Sequence, residues 1–337
     1  MVIKTIKAVL ILLAVSFLLF SAWFSLEFYS PRKSLPRDVL FEIEPGKGAQ
    51  AISQDLRQKG IIRKKWPFLL GYKLFFSSQS LKAGEYSLRL PLSTKGILAM
   101  ISEGRVFLHP LTIPEGLTRK EIAQYLNSQN LVNEQEFLEA ATRTEVISAL
   151  DKEASNLEGY LFPETYHFAK RTSAEKIIST LVAQFKDVFN ETWQKRAEEI
   201  GMTLREVVIL ASLVEKETSV ADERELVSAV FHNRLKKGMK LDCDPTIIYD
   251  LKEKGIFRER LHTRDMKLDS RYNTYLHRGL PPGPICNPGH ESLRAALYPA
   301  DKPYLYFVSK NDGSHHFSST FREHQNAVIK YQKRRAK

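Results

Sequence analysis

Two glutamates stand at the end of a long apolar stretch, where they are well placed for acid–base chemistry. The stretch Val207 to Val214 is apolar on almost every side, which predicts a helix buried in a domain core. The sequence then turns abruptly to Glu215, Lys216, Glu217 and Thr218. A carboxyl group at the end of a buried helix loses solvation, so its pKa should rise toward the value that a general acid needs.

Glu215 and Glu217 are two positions apart, so they point to different sides of a helix and cannot form a facing pair. We expect only one of them to face a cleft. Either glutamate could instead be a solvated helix-end residue, or could pair with Lys216 or Arg224. Spacing alone leaves these alternatives open, and it makes Arg224 a candidate for orienting whichever carboxyl group is catalytic.

Two further segments carry polar groups at positions where chain reversals are expected. The first, at 240–251, reads KLDCDPTIIYDL, and its Asp244 or Thr246 is predicted to cap the helix that follows the proline. The second, at 270–289, reads SRYNTYLHRGLPPGPICNPG and is long and stiff for a plain connector. Aromatic rings stack on sugar faces and amides bond sugar hydroxyls. The candidate sugar contacts there are Tyr272, Asn273 and Tyr275.

Several common catalytic signatures do not occur in this sequence. It contains no G-x-S-x-G, P-loop, Rossmann or H-E-x-x-H motif, so we expect neither a serine nucleophile nor a cofactor. His315 and His316 follow a predicted Asn-Asp-Gly hairpin turn. Adjacent strand residues face opposite sides, so we expect no metal site there.

The first residues indicate where the chain works. Ala8 to Leu26 contains no charged residue and is about as long as a helix that crosses a bilayer. Lys4 and Lys7 precede it, which predicts a cytoplasmic N-terminus and export of the remainder. A cleaved signal peptide is the alternative, but no small-x-small cleavage site follows. The net charge of +11 then suits anionic headgroups or an acidic wall polymer, and export argues against nucleic acid.

Local signals divide the exported part of the chain. Ser93 is predicted to cap a helix, Thr118 with Glu121 forms a capping-box pattern, and Thr203 can cap the apolar helix. The expected fold class is α+β behind a single transmembrane helix. The predicted divisions are a cytoplasmic N-terminus at 1–7, an anchor at 8–26, a linker at 27–38, a small α+β module at 39–104, and a larger mixed helical and β region at 105–337.

The ordered motifs resemble the MltG (YceG-like) family of endolytic murein transglycosylases. The similarity covers nearly the whole chain, from the N-terminal anchor onward. The motifs are FEIEPGKGAQAI, LKAGEY, PEGLT, EGYLFPETY, ASLVEKET, NRL, DPT, YNTY, GLPPGPI, NPG and PYLYFV, in that order. No single one of them is specific, but their number and order are.

This resemblance implies a LysM-like module at 39–104 and a catalytic YceG-like region at 105–337. It also implies one essential glutamate in the segment VEKET, a role that we assign to Glu217, with Glu215 as the competing assignment. The implied location is the bacterial inner membrane, with a single pass and a periplasmic catalytic part. The implied partners are peptidoglycan strands and peptidoglycan synthases.

The activity implied is that of a lytic transglycosylase, a carbon–oxygen lyase acting on a polysaccharide (EC 4.2.2.-). It would cut the MurNAc–GlcNAc bond of nascent strands, leave a 1,6-anhydro-MurNAc end and terminate glycan elongation. Two alternatives remain: a muramidase-type hydrolase and a non-catalytic wall-binding scaffold.

The two cysteines, Cys243 and Cys286, depart from what the resemblance leads us to expect. Each adjoins one of the motifs, DPT and NPG respectively. If these motifs converge, an exported protein could join the two cysteines in a disulfide across the cleft rim.

Overall fold

The N-terminal helix is the longest element of the chain. This computed structural model describes residues 2–31, 39–89 and 91–333. Helix α1 (Val2–Tyr29) begins before and ends after the predicted span 8–26, because the residues on both sides are also compatible with a helix. Within the described ranges it is the one helix long and apolar enough to cross a membrane. Residues 27–29 of the predicted linker belong to α1, and residues 32–38 lie outside the described residues.

The chain divides into two compact units. The first comprises Met1–Pro110 and His167–Arg171, and the second comprises Leu111–Tyr166 and Thr172–Lys337. Three two-stranded sheets are formed by the described residues, among many short helices. The predicted α+β class with one apolar N-terminal helix is therefore confirmed.

The first unit builds its core around one antiparallel strand pair. In this pair Phe41 lies opposite Tyr86, and both side chains are buried. Phe24 and Phe28, near the end of α1, belong to the same apolar core. The elements are β1 (Val39–Ile43), α2 (Ala49–Gln58), α3 (Lys65–Gly71) continued by a π-helical turn (Tyr72–Phe76), β2 (Gly84–Leu88) and α4 (Thr94–Glu103). The predicted cap at Ser93 is confirmed, since its hydroxyl accepts from the Gly96 amide.

The second unit is mainly helical and also contains strands, in keeping with the predicted mixed helical and β region. A strand, β4 (Thr165–Ala169), begins at the end of the motif EGYLFPETY, which sequence periodicity did not predict. Its partner is β3 (Leu108–Thr112), and β5 (Tyr306–Ser309) pairs with β6 (His315–Ser318) across the predicted hairpin. From β3 onward, the elements in chain order are β3 (Leu108–Thr112), α5 (Arg119–Ser128), α6 (Glu134–Ala140), β4 (Thr165–Ala169), α7 (Ala174–Val188), α8 (Glu191–Glu199), α9 (Leu204–Glu217), α10 (Arg224–Lys236), α11 (Asp244–Glu253), α12 (His290–Leu297), β5 (Tyr306–Ser309), β6 (His315–Ser318) and α13 (Phe321–Val328).

Helix α9 is the central element of the second unit. Its start is fixed by a capping box, in which Thr203 accepts from the Glu206 amide and Glu206 accepts from the Thr203 amide. Every residue from Val207 to Val214 is buried, and the helix packs against α8, α10, α11 and α12. The apolar stretch is thus the buried helix that the sequence predicts.

The loop before α12 is bonded to distant parts of the same unit. The Asn287 side chain accepts from the Leu161 amide and donates to the Leu117 carbonyl and to Glu158. Gly159 permits this close approach, because it has a φ of +87° and a Cβ there would lie 2.6 Å from Pro284 Cγ. The motifs containing residues 117, 158 and 287 therefore meet in space.

Candidate active site

The end of α9 presents Glu217 at a cleft. Glu217 is the last residue of the helix, and the amide of the buried Thr218 still donates to the Val214 carbonyl at 3.3 Å. Because the preceding residues of α9 are buried, the end of this helix places one carboxyl group, that of Glu217, at the cleft wall. The Glu217 side chain is partly exposed there and otherwise surrounded by protein.

The surroundings of Glu217 favour its protonated form. Burial raises the pKa of Glu217 to about 7, and the nearby negative charge of Asp244 acts in the same direction. The Cys243 thiol, which donates a hydrogen bond to the carboxylate, and the positive charges of His315 and Arg234 act in the opposite direction. A carboxyl group that is half protonated near pH 7 can both donate and accept a proton during one reaction cycle.

The cleft has a volume of about 470 Å³ and combines acidic, basic and aromatic side chains. Aromatic rings with a few polar groups among them are suited to binding sugar rings. The wall is contributed by the ends of α9 and α10, the loop before α11, the loop at Tyr275, strand β5 and helix α13. Its lining residues are Glu217, Arg234, Leu241, Asp242, Asp244, Tyr275, Tyr306, Phe307, Phe321 and His324.

Two of the predicted sugar-binding residues lie at the cleft with Glu217. The Tyr275 hydroxyl donates to Asp244 Oδ1 at 2.6 Å, so these two side chains form one unit in the cleft wall. Asp244 does not cap α11, contrary to the prediction. Instead Cys243 occupies the N-cap position, and Asp244 is the first residue of the helix.

The other predicted contacts are not part of the cleft wall. Thr246 is fully buried and donates to the Cys243 carbonyl at 2.7 Å, so it does not cap α11 either. Asn273 is buried, and its amide donates to the carbonyls of Met266 and Leu268. Its carbonyl oxygen accepts from the Tyr275 amide, which holds Tyr275 in place.

Tyr272 packs in a different environment from Tyr275. Its ring lies 5.2 Å from that of Tyr249, and burial raises the pKa of its hydroxyl to about 12. The stiff loop passes close by, since a Cβ at Gly283 would lie 3.0 Å from the Tyr272 hydroxyl. Tyr272 is not one of the residues that line the Glu217 cleft.

Glu215 points away from Glu217, as the two-residue spacing predicts. Its Oε2 accepts from the Gly289 amide at 3.1 Å, so it stabilises the loop before α12. Its negative charge acts on Glu115, whose pKa is raised mainly by burial. The charge of Arg224 lowers the pKa of Glu115. Arg224 is not among the main charged groups that act on Glu217.

Arg234, and not the predicted Arg224, is the arginine whose charge acts on Glu217. It lies in the cleft wall and donates to Asp242 at 2.9 Å and to the Leu305 carbonyl at 2.7 Å. Its guanidinium also lies over the Tyr306 ring, 5.2 Å from the centroid. Arg234 thereby joins α10 to the loop before α11 and to the start of β5. The motif NRL contains it, but its position in the motif did not indicate contact with the cleft.

His315 and Glu223 form a second pair that sequence reasoning missed. The buried Glu223 accepts from the His315 amide at 2.8 Å and lies 2.7 Å from the ring nitrogen Nδ1. The carboxylate thus orients the imidazole, whose charge acts on Glu217. Within the described ranges, no three His, Cys, Asp or Glu side chains are grouped so that they could hold a metal ion.

The proposed disulfide is not present. Cys243 and Cys286 are both buried free thiols, and they have different partners. Cys243 bonds to Glu217, whereas Cys286 donates to the Ser212 carbonyl at 3.4 Å. The DPT and NPG motifs therefore contact α9 at separate places, which is why the two sulfurs do not meet.

Glu158 is a buried carboxyl group that lies outside the cleft. Glu158 accepts from the Arg119 amide at 2.9 Å, from Asn287 at 3.1 Å and from the Tyr249 hydroxyl at 3.3 Å. Burial raises the pKa of Glu158 to about 8. Its three donors come from three separate segments of the second unit, so we assign it a structural role.

A buried helix that ends in a carboxylic acid at an aromatic cleft is an arrangement suited to general acid catalysis in a mixed α+β protein. The chain belongs to the YceG-like family, which it matches over residues 41–330.

Similar proteins carry names that describe one activity. The chain is 31% identical over 309 residues to an endolytic murein transglycosylase of Bacillus subtilis strain 168, covering 87% of this chain and 84% of that protein. It is 29% identical over 322 residues to an endolytic murein transglycosylase of Streptococcus pneumoniae strain D39, covering 87% of this chain but only 58% of that longer protein.

A solved structure shares the fold. A crystal structure of a YceG-like protein from Listeria monocytogenes is 32% identical in sequence, with a TM-score of 0.59. The match covers 86% of this chain and 98% of that one.

Proposed function

We propose that this chain is an endolytic lytic transglycosylase that cuts peptidoglycan strands between MurNAc and GlcNAc. The observation that carries this proposal is the position of Glu217, a carboxyl group of raised pKa that lies in a cleft lined by aromatic rings. The names of the relatives from Bacillus subtilis and Streptococcus pneumoniae support the substrate class.

The reaction requires one group that acts first as an acid and then as a base. Protonated Glu217 gives its proton to the glycosidic oxygen, and the bond from that oxygen to C1 of MurNAc breaks. The ionised carboxylate then takes the proton of the 6-hydroxyl of the same sugar, and O6 bonds to C1. The product is a 1,6-anhydro end and no water is consumed. Because the nucleophile is part of the substrate, its effective concentration is high.

The cleft aspartates are each engaged by a neighbour. Asp244 accepts from Tyr275, and Asp242 accepts from Arg234. A hydrolase of the usual type needs a second carboxylate free to activate water or attack the sugar. We therefore favour the single-acid reaction, with Asp244 and Tyr275 orienting the sugar. The muramidase alternative rests on the presence of these two aspartates in the cleft.

The remaining assignments extend the proposal to the whole protein. Helix α1 would anchor the chain in the bacterial inner membrane, with Lys4 and Lys7 on the cytoplasmic side and the residues after α1 outside. The module at 39–104 would be LysM-like and would bind wall polymer. Cutting beside peptidoglycan synthases would terminate glycan elongation, which assigns the enzyme to the lyases (EC 4.2.2.-).

Mass spectrometry of digested peptidoglycan tests the reaction and the residue together. The full chain in detergent is compared with Glu217→Gln, and Glu215→Gln serves as a matched control on the same helix end. We expect anhydro-ended fragments from the wild type and from Glu215→Gln, and none from Glu217→Gln.

Other results would contradict specific parts of the proposal. Loss of products with Glu215→Gln alone would move the acid by two positions. Fragments heavier by one water would identify a hydrolase. Intact strands after incubation with the wild type would favour a wall-binding scaffold.

A further inference from the structure

The first unit exposes two large apolar side chains next to the end of α1. Leu74 is 58% exposed and Phe75 is 53% exposed, both in the π-helical turn that continues α3. Phe75 also stacks on Phe28 of α1, with ring centroids 5.7 Å apart. These residues therefore form an apolar surface continuous with the helix that we propose as the membrane anchor.

Helix α3 and α1 are packed together in a fixed register. Trp66 stacks on Trp23, with centroids 4.2 Å apart and planes at 18°, and lies 5.6 Å from Phe20. One turn further along, Gly71 contacts Phe28 so closely that a Cβ there would lie 2.1 Å from the Phe28 ring. Contacts thus extend along α1 from Phe20 to Phe28.

This register determines the depth of α3 in a bilayer. The uncharged run Ala8 to Leu26 extends about 28 Å as a helix, close to the thickness of a hydrocarbon core. Lys7 and Glu27 bound this run, so Phe20 lies about 9 Å below the Leu26 level. Moving α1 outward to bring Trp66 into water would draw Lys7 into the hydrocarbon, which is costly.

The charges around α3 suit a position among lipid headgroups. The Lys64 ammonium lies 4.7 Å from the Trp23 ring centroid and 4.0 Å from Glu27. Arg63 and Lys73 are exposed on either side of α3. Tryptophans with flanking basic residues are typical of the interface between hydrocarbon and headgroups.

We propose that α3 and its π-helical turn are a second membrane contact, lying in the leaflet at the C-terminal end of α1. Leu74 and Phe75 enter the boundary between acyl chains and headgroups, while the basic residues contact lipid phosphates. The occupant of this surface is the bilayer that α1 crosses. The inference rests on the proposed anchor and adds that the first unit is held against the membrane surface.

The depth of Leu74 in a bilayer is the measurement that tests this. Full chain carrying Leu74→Cys is labelled with an environment-sensitive fluorophore and reconstituted in phospholipid vesicles. Leu40→Cys is the matched control, since Leu40 is also an exposed apolar residue of the first unit, at 48%. The unsubstituted chain shows whether the buried Cys243 and Cys286 take up label.

Lipids with a spin label on the acyl chain should quench the fluorophore at position 74 and leave that at position 40 unchanged. Quenching of neither position, or of both equally, in chains that stay with the vesicles after a carbonate wash would overturn the docking surface but leave the anchor intact. Release of the chain by carbonate would overturn the anchor itself, and with it this inference.

Discussion

Replacing Cys243 by alanine should move the pH dependence of strand cleavage to higher pH. The Cys243 thiol is buried and donates to the Glu217 carboxylate, which stabilises the ionised form and lowers the pKa of Glu217. Without that donor the acid stays protonated to higher pH. Because Glu217 acts first as an acid, activity falls as the pH rises through its pKa of about 7. In the Cys243→Ala variant, this falling limb of the pH–rate profile should move to higher pH.

The size of the effect follows from the strength of the bond. A neutral hydrogen bond contributes about 1 kcal/mol net, and a thiol is a weak donor. The protonation equilibrium of Glu217 should therefore change by up to about fivefold, which is less than one pH unit on the limb. A shift of this size is resolved by initial rates at low substrate concentration between about pH 5 and pH 9.

The second buried cysteine provides the matched control. Cys286→Ala removes an equally buried thiol that bonds to the Ser212 carbonyl instead of Glu217, so its limb should coincide with that of the wild type. Cys243→Ser supplies a stronger donor and should leave the limb in place or lower it. The same pH limb for the two alanine variants, or a limb moved to lower pH by Cys243→Ala, would contradict the role of this thiol as a donor to Glu217.

Three further predictions concern the same cleft. Glu217→Gln should stabilise the second unit by about 3 kcal/mol at pH 8 and not at pH 4. The folded pKa of about 7 exceeds the ordinary value of 4.5, so the wild type has this stability at low pH and loses it as the pH rises from about 4.5 to about 7. Thermal unfolding at both pH values checks this, and equal midpoint differences would contradict it. Tyr275→Phe removes the donor to Asp244, and we expect about a tenfold lower initial rate; unchanged rates would show that this bond does not orient the sugar. Arg234→Lys keeps the charge but loses the forked donor to Asp242 and the Leu305 carbonyl, so the unfolding midpoint should fall by several degrees while the pH limb stays in place. Arg234→Met removes the positive charge as well. Its unfolding midpoint should also fall, and its falling pH limb should move to higher pH because that charge lowers the pKa of Glu217.

Features governed by neighbouring residues were predictable from the sequence. The capping boxes at Thr118 and Thr203 depend on contacts three residues apart, and both are present. The hairpin between β5 and β6 depends on its turn residues. The divergence of Glu215 and Glu217 follows from helix geometry alone.

Features that depend on distant partners were not predictable in the same way. Asn273 looks like a sugar-binding amide, but backbone carbonyls satisfy it, and one sequence cannot distinguish these two uses. Arg234, Tyr306 and His324 reach the cleft from three separate elements, and nothing local to any of them marks that contact. The cysteine pairing failed for the same reason, because both residues adjoin motifs that meet α9 without meeting each other.

The bonds of Asn287 have a consequence for the speed of folding. They join it to Leu161, Glu158 and Leu117, which are 126, 129 and 170 positions away in sequence. Contacts of such high sequence separation close large loops and are typical of slow folding. If the part of the chain after α1 is exported in sequence order, the segments around Leu117 and Glu158 cross the membrane before Asn287. They cannot complete these bonds until Asn287, about five sixths of the way along the polypeptide, has also been exported.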